Sequence, residues 1–169
     1  AWLDGHHVAG GGRRALKVGC GLGDDAEELA RRGFVVTAFD VSPTAVEWCR
    51  RRFPGSVVRY EVADVLRPPP RWEGAFDFVL ESYTLQVLPP AARAAALRNV
   101  ARCVAPRGEI LVIARGRDAG DPEGAMPWPL LRRELDGVRA AGFRELSFED
   151  FHDTEDPPVR RFRAHYRRR

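Results

Sequence analysis

One stretch constrains this chain more than any other: Lys17-Val18-Gly19-Cys20-Gly21-Leu22-Gly23-Asp24-Asp25-Ala26. A short apolar run, Ala15 to Val18, precedes it and reads as a strand. Asp24 to Arg32 reads as a helix, with Ala26, Leu29 and Ala30 at helical spacing and Gly33 as the stop. A second strand, Phe34 to Phe39, ends in Asp40. Strand, glycine loop, helix, strand and acid make one βαβ unit, with a nucleotide-type ligand site at its carboxyl edge.

Three glycines at alternate positions remove three Cβ atoms from the turn, so the backbone folds sharply and a ligand can lie against its amides. Asp40, at the tip of the second strand, is placed to accept both hydroxyls of a ribose. Nicotinamide, flavin and adenosyl ligands all fit that logic, and the spacing separates them. A dinucleotide fingerprint has its third glycine at position 24, where this chain has Asp24. An acid at a helix N-terminus caps well, but it is a poor neighbour for a pyrophosphate bound at that same helix end. A ligand without phosphate, such as S-adenosylmethionine, fits better.

The rest of the chain continues the alternation. Ser42-Pro43 caps a helix running to about Phe53, with Ala45, Val46 and Cys49 inward, and Pro54-Gly55 breaks it. Val57 to Val62 alternates as a strand, ending near Asp64. Ala75 to Leu80 is apolar apart from Asp77, as a central parallel strand should be. Pro89-Pro90 opens a helix over about Ala91 to Val104, and Glu109 to Ala114 is the next buried strand. Residues 115–129 form a loop rich in Gly, Pro and Asp, suited to closing over a site. Leu130 to Ala141 reads as a helix stopped by Gly142. Phe143 to Phe151 and Val159 to Tyr166 read as the last strands. The fold class is therefore α/β, with seven strands and about five helices in a single domain over 1–169.

Composition narrows the function classes. Hydrophobic content of 44% and charged content of 30% suit a soluble globular domain. No apolar run approaches the ~20 residues that span a bilayer. Cys20, Cys49 and Cys103 have no metal-type spacing, and their odd count argues against a disulfide framework, so the expected compartment is the cytoplasm. The net charge of +3 is a property of the tail: residues 157–169 hold six arginines and no acid, and without them 21 basic residues face 24 acidic ones. The tail lacks the interleaved aromatics of a single-strand binder, so nucleic acid is not the expected partner. Its alternation reads as an edge strand kept soluble by charge. Residues 1–14 read as a leader loop, and His6 and His7, with no third ligand nearby, read as solvated rather than metal-binding.

Four stretches in order carry a family resemblance: Val18-Gly19-Cys20-Gly21-Leu22-Gly23, Phe39-Asp40-Val41-Ser42, Ala63-Asp64-Val65 and Phe76-Asp77-Phe78-Val79-Leu80-Glu81. The chain resembles class I S-adenosylmethionine-dependent methyltransferases over nearly its whole length. Within them it looks most like the small-molecule branch typified by thiopurine and tellurite-resistance methyltransferases. The resemblance implies a Rossmann-like, doubly wound sheet in the order 3-2-1-4-5-7-6 with the last strand antiparallel. It implies S-adenosylmethionine as cofactor, S-adenosylhomocysteine as product, a small-molecule acceptor, no metal, no membrane, and a monomer or homodimer. It places Gly19, Cys20, Gly21, Gly23, Asp40, Val41, Asp64, Val65 and Glu81 around the cofactor. Adenine would lie between Val41 and Val65, with Asp64 accepting its exocyclic amine. Many members carry an acid where this chain has Lys17, which leaves the methionine ammonium without an assigned contact. Family members also carry a helix or two before the glycine loop, for which residues 1–14 leave little room.

Glu81-Ser82-Tyr83-Thr84-Leu85 leaves the fourth strand where the methyl sulfonium should point. It is not the Asn-Pro-Pro-Tyr or Asp-Pro-Pro-Tyr signature of enzymes that methylate exocyclic amines of DNA bases. Methyl transfer needs alignment and a dry cavity more than an acid–base dyad. Glu81 and Tyr83 are the candidate proton acceptors or orienters. Trp128 and Met126 are candidate walls for an acceptor, and His152 with Asp150 or Asp153 is a further candidate. Cys20 reads as a small packing residue. Two other functions compete: a nicotinamide-type oxidoreductase, against which Asp24 and the reversed last strands count, and a non-catalytic adenosyl-binding or RNA-associated module.

Overall fold

The apolar runs of the sequence lie side by side in one sheet. The computed structural model describes residues 2–169. Strand β1 (Arg14–Val18) lies between β2 (Val35–Asp40) and β4 (Phe76–Ser82), parallel to both. β3 (Arg59–Val62) pairs outside β2, and β5 (Val104–Arg117) outside β4. β8 (Arg160–Arg168) runs antiparallel between β5 and β7 (Phe143–His152). A two-residue β6 (Leu130–Leu131) pairs with the end of β5 and raises the strand count from the expected seven to eight. Without it the order is the expected one, reversed last strand included.

Helices cover both faces because the strands alternate their side chains. Leu16, Val18, Val79 and Ile110 face Leu97 and Val100 of α4 (Pro90–Cys103) and Val138 of α5 (Asp136–Ala140). Ala15, Phe78, Leu80 and Leu111 face Ala26 and Leu29 of α2 (Asp24–Arg31) and Val46 and Cys49 of α3 (Pro43–Arg52). Ser42 caps α3 as its sequence predicts, its hydroxyl accepting from the Ala45 amide at 3.3 Å with Pro43 in the first turn. No helix among the described residues is long and apolar enough to cross a membrane.

Five local expectations are corrected. Leu130 to Ala141 is not one helix: β6 gives way to a 3₁₀ turn, Arg132–Leu135, before α5 begins. Leu130 and Leu131 are extended and buried against the end of β5, so tertiary pairing overrides helical spacing. Val57 is exposed and β3 begins only at Arg59.

The leader is not a loop throughout. Trp2–Gly5 forms a short helix, α1, whose Trp2 is buried and donates Nε1–H to Glu149 at 3.0 Å. His6 stacks on the Trp2 ring with centroids 4.0 Å apart. Ala1 lies outside the described residues.

The arginine-rich tail is not an edge strand. β8 is interior, with Phe162, Ala164 and Tyr166 in the core of one face. On the other, Arg161 pairs with Asp153, Arg163 with Glu149, and His165 with Glu109. Cross-strand acids, rather than water alone, accommodate the charge. Asp24 is not a cap either: Gly23, left-handed at φ 93°, holds the cap position, and Asp24 pairs with Arg52 at 2.7 Å.

Candidate active site

The carboxyl ends of β1, β2 and β4 converge on a cavity of about 560 Å³, within the roughly 300–1,000 Å³ usual for small-molecule sites. Its walls are the glycine loop, Asp40 at the end of β2 with Val41 after it, and Asp64 and Val65 after β3. Ser82 at the end of β4, with Tyr83 and Thr84 after it, closes the fourth side. Leu22, Val41, Tyr83 and Val87 are large apolar side chains left exposed, and all four line this cavity.

The three glycines serve three different ends. A Cβ on Gly19 would fall 2.1 Å from the Thr84 hydroxyl, and one on Gly23 would fall 2.8 Å from the Phe53 ring. Gly21, at φ 53°, has nothing within 4 Å of its Cβ position and lines the cavity, so it alone leaves open space. The Gly21 amide donates to Asp40 Oδ2 at 3.3 Å, and the Ser42 amide to Oδ1 at 3.0 Å. Asp40 is thus fixed against the loop. Asp64 closes its own turn, Oδ1 accepting from the Leu66 amide at 2.8 Å. Cys20 lines the cavity but is buried, its sulfur 3.7 Å from that of Cys49, and burial pushes its thiol up to about 12.

Glu81 does not stand where the sequence reading put it. It is fully buried and is not part of the cavity wall. Its Oε1 accepts from the amides of Thr84 at 2.7 Å and Leu85 at 2.9 Å, so it shapes the turn after β4 from beneath. Its Oε2 is buried without a hydrogen-bond partner, and burial pushes its carboxyl up to about 7 against the pull of the two amides and Lys17.

Tyr83 does reach the site. Its φ of 67° is rare for a residue with a side chain, and its amide donates to the Ile113 carbonyl at 2.9 Å. The ring lies 5.0 Å from the Arg161 guanidinium. Tyr83, Ser82 and Asp25 also line a second cavity of about 300 Å³. Leu3 of α1 and Leu111 and Ile113 of β5 give that cavity apolar walls, with Arg32 and Arg163 also lining it.

Trp128 and Met126 line neither cavity. The Trp128 amide donates to the Gln86 carbonyl at 2.7 Å, and its own carbonyl accepts from Arg93. His152 is exposed at the end of β7, while Asp150 and Asp153 pair with Arg160 and Arg161. The sequence reading gave no site role to Ser82, whose hydroxyl donates to Asp25 Oδ2 at 2.6 Å, or to Thr84, which reaches across to the glycine loop. Their position at the carboxyl end of an apolar central strand was the available signal.

This geometry defines a nucleoside-type site on a doubly wound sheet. A family model described as a methyltransferase domain matches residues 15–108. The chain belongs to that family, as a class I S-adenosylmethionine-dependent methyltransferase domain. Magnesium-protoporphyrin O-methyltransferase of Rhodobacter capsulatus is 38% identical over 72 residues, covering 41% of this chain and 31% of that protein. Ubiquinone biosynthesis O-methyltransferase of Xanthomonas oryzae pv. oryzae is 34% identical over 108 residues, covering 63% and 44%. The chain spans less than half the length of both. A methyltransferase structure from Methanosarcina mazei shares the fold at a TM-score of 0.83 and 16% identity, covering 98% of this chain and 96% of that one.

S-adenosylmethionine is the cofactor of this class. The cavity fits its nucleoside in three respects: the open face of Gly21, the anchored Asp40 carboxylate and the exposed apolar Val41. Lys17 also lines the cavity, and burial lowers the pKa of its ammonium.

Proposed function

We propose that this chain transfers a methyl group from S-adenosylmethionine to a hydroxyl, thiol or amine of a small-molecule acceptor. The observation that carries the reading is the pair of cavities meeting at Asp25, Ser82 and Tyr83, one sized for a nucleoside and one smaller and partly apolar. Asp40 accepts the ribose hydroxyls. Val41 and Val65 hold adenine between them, and Asp64 accepts its amine. The Gly19–Gly23 backbone lies along the ligand, with Gly21 giving it room. The acceptor lies in the second cavity, against Tyr83. The names of the two curated relatives, both O-methyltransferases, support an oxygen acceptor. Three free, buried cysteines support a cytoplasmic setting.

Bound S-adenosylmethionine supplies an electrophilic methyl on a sulfonium. The chain's own contribution is to align the acceptor with that carbon and keep water out. When the acceptor is anionic, charge disappears as the bond forms, and apolar walls such as Leu111 and Ile113 favour that change over the separated ions. Glu81 acts from beneath, through the turn that presents Tyr83 and Thr84.

Calorimetry with S-adenosylhomocysteine and with NAD tests the cofactor side. The first should bind and the second should not, and Gly21→Val should abolish the binding while the chain stays folded. Unchanged affinity in a folded Gly21→Val variant would put the site elsewhere. A methyl-release screen over phenols, thiols and amines tests the acceptor side, and turnover confined to macromolecular acceptors would overturn it.

A further inference from the structure

Lys17 is the single lysine of a chain with 27 basic residues, and it is buried, 3% exposed, in the wall of the larger cavity. Its ammonium donates to the carbonyls of Val18 at 2.8 Å and Gly19 at 2.7 Å. Burial lowers the pKa of this ammonium from its usual 10.5, with Asp25 and Glu81 opposing; the protonated group has three protons, so one donor remains beyond the two carbonyls. The nearest carboxylate, Asp25 Oδ2, is 3.7 Å away, beyond a hydrogen bond. Asp25 accepts instead from Ser82, is half-exposed, and lines both cavities.

These positions constrain any ligand whose end group is an α-amino acid. A ligand ammonium reaching the edge of β1 would need carbonyl oxygens, and Lys17 already holds those of Val18 and Gly19. At that edge no carboxylate would stand between the ligand ammonium and the buried cation, and little water screens such a pair, whereas an ammonium on the far side of Asp25 has that carboxylate between itself and Lys17. A ligand carboxylate meets the opposite situation: a cation with a spare proton, and two carbonyls that keep that cation in place. The N-terminus of α2 is a poor rival for the carboxylate, because its first turn carries Asp24, Asp25 and Glu27. An arginine would present a planar fork, whereas the compact ammonium can bond two successive carbonyls and still face the cavity.

Resting on the cofactor reading above, we propose that Lys17 and Asp25 together read the amino-acid end of the cofactor, Lys17 taking its carboxylate and Asp25 its ammonium. Lys17 is then the specificity-determining residue of that end.

The test is calorimetry on the purified chain with ligands that differ only at that end. Wild type should bind S-adenosylmethionine at least tenfold more tightly than its decarboxylated form. Lys17→Met should weaken S-adenosylhomocysteine at least tenfold and leave 5′-methylthioadenosine, which lacks the amino acid, within twofold. Asp25→Asn should weaken the decarboxylated ligand as well, because its ammonium is retained. Unchanged S-adenosylhomocysteine affinity in folded Lys17→Met, or an equal loss for both nucleosides, would overturn the proposal. If Lys17→Met does not fold, the wild-type comparison decides: equal affinity for S-adenosylmethionine and its decarboxylated form overturns it. Failure of wild type to bind any of the four would overturn the cofactor reading together with this one. Retained 5′-methylthioadenosine binding without end-group discrimination would overturn this one alone.

Discussion

Thr84 stands where a side chain on Gly19 would be: its hydroxyl lies 2.1 Å from the Cβ position of Gly19 and donates to the Val18 carbonyl at 3.1 Å. The turn after β4 is thereby latched onto the turn after β1. Gly19→Ala would force Thr84 away and also hold a left-handed φ of 63°. We expect a loss of about 1–3 kcal/mol from strain and overpacking. Adding Thr84→Ala should recover part of it, because the clash is gone while the φ strain remains. Urea unfolding of both single variants and the double variant measures this. Strictly additive losses would mean that the two turns are not coupled.

Asp40 and Asp64 should differ in their cost to binding. Asp40 is held by two amides and faces two ribose hydroxyls on our reading, whereas Asp64 serves one amine. Asp40→Ala should weaken S-adenosylhomocysteine by about 1.5–3 kcal/mol, the range for hydrogen bonds to a charged group. Asp64→Ala should lose less. Calorimetry showing equal or reversed losses would exchange their roles.

The sequence carried the strand–helix alternation and the stretches that wall the larger cavity, because both rest on local patterns: apolar alternation, a glycine turn and an acid at a strand tip; the order of the strands followed from the family resemblance and not from those patterns. It did not show that Leu130-Leu131 pairs with β5, because a short apolar run reads equally as strand or helix until a partner strand is known. Nor did it show that Glu81 turns inward. Glu81 and Tyr83 are two residues apart, and only the left-handed backbone at Tyr83 sends the second to the cavity while the first bonds the turn beneath. Lys17 was visible as a departure from the family pattern, but its contacts with the Val18 and Gly19 carbonyls depend on the bend of the loop itself.

Glu81 gives the chain a pH-dependent weakness. Its carboxyl is raised from 4.5 to about 7 by burial, so the folded state holds this proton more tightly than the unfolded one. As pH climbs past 4.5 the unfolded chain releases the proton first, and stability falls until the folded group also ionises near 7. The loss by pH 8 is roughly 3 kcal/mol. Glu81→Gln keeps an oxygen for the Thr84 and Leu85 amides and removes the titration. Its stability should match wild type near pH 5 and exceed it at pH 8. Lys17 faces the same group and opposes its shift, so Lys17→Met should steepen the wild-type fall. Parallel profiles for wild type and Glu81→Gln in urea unfolding would rule the effect out.

Tyr83 combines a strained backbone with a ring that touches both cavities. Burial raises its hydroxyl above the ordinary value of 10, with Arg161 opposing, so at neutral pH it is a protonated phenol and not a ready base. Its role on our reading is to wall and orient the acceptor. Tyr83→Phe should therefore keep most of the turnover, and Tyr83→Ala should lower kcat/KM for the acceptor at least tenfold. Both should leave S-adenosylhomocysteine affinity within a few-fold. A collapse of turnover in Tyr83→Phe would instead assign proton transfer to the hydroxyl. The backbone gives a second readout that needs no acceptor. Tyr83→Gly and Tyr83→Ala both lose the ring, but only alanine keeps a Cβ at a φ of 67°. The glycine variant should be the more stable of the two by about 1 kcal/mol, the usual cost of a side chain in that region. Equal stability would mean that the turn relaxes once the ring is gone, so that ring packing, and not the Ile113 hydrogen bond, holds the strained conformation.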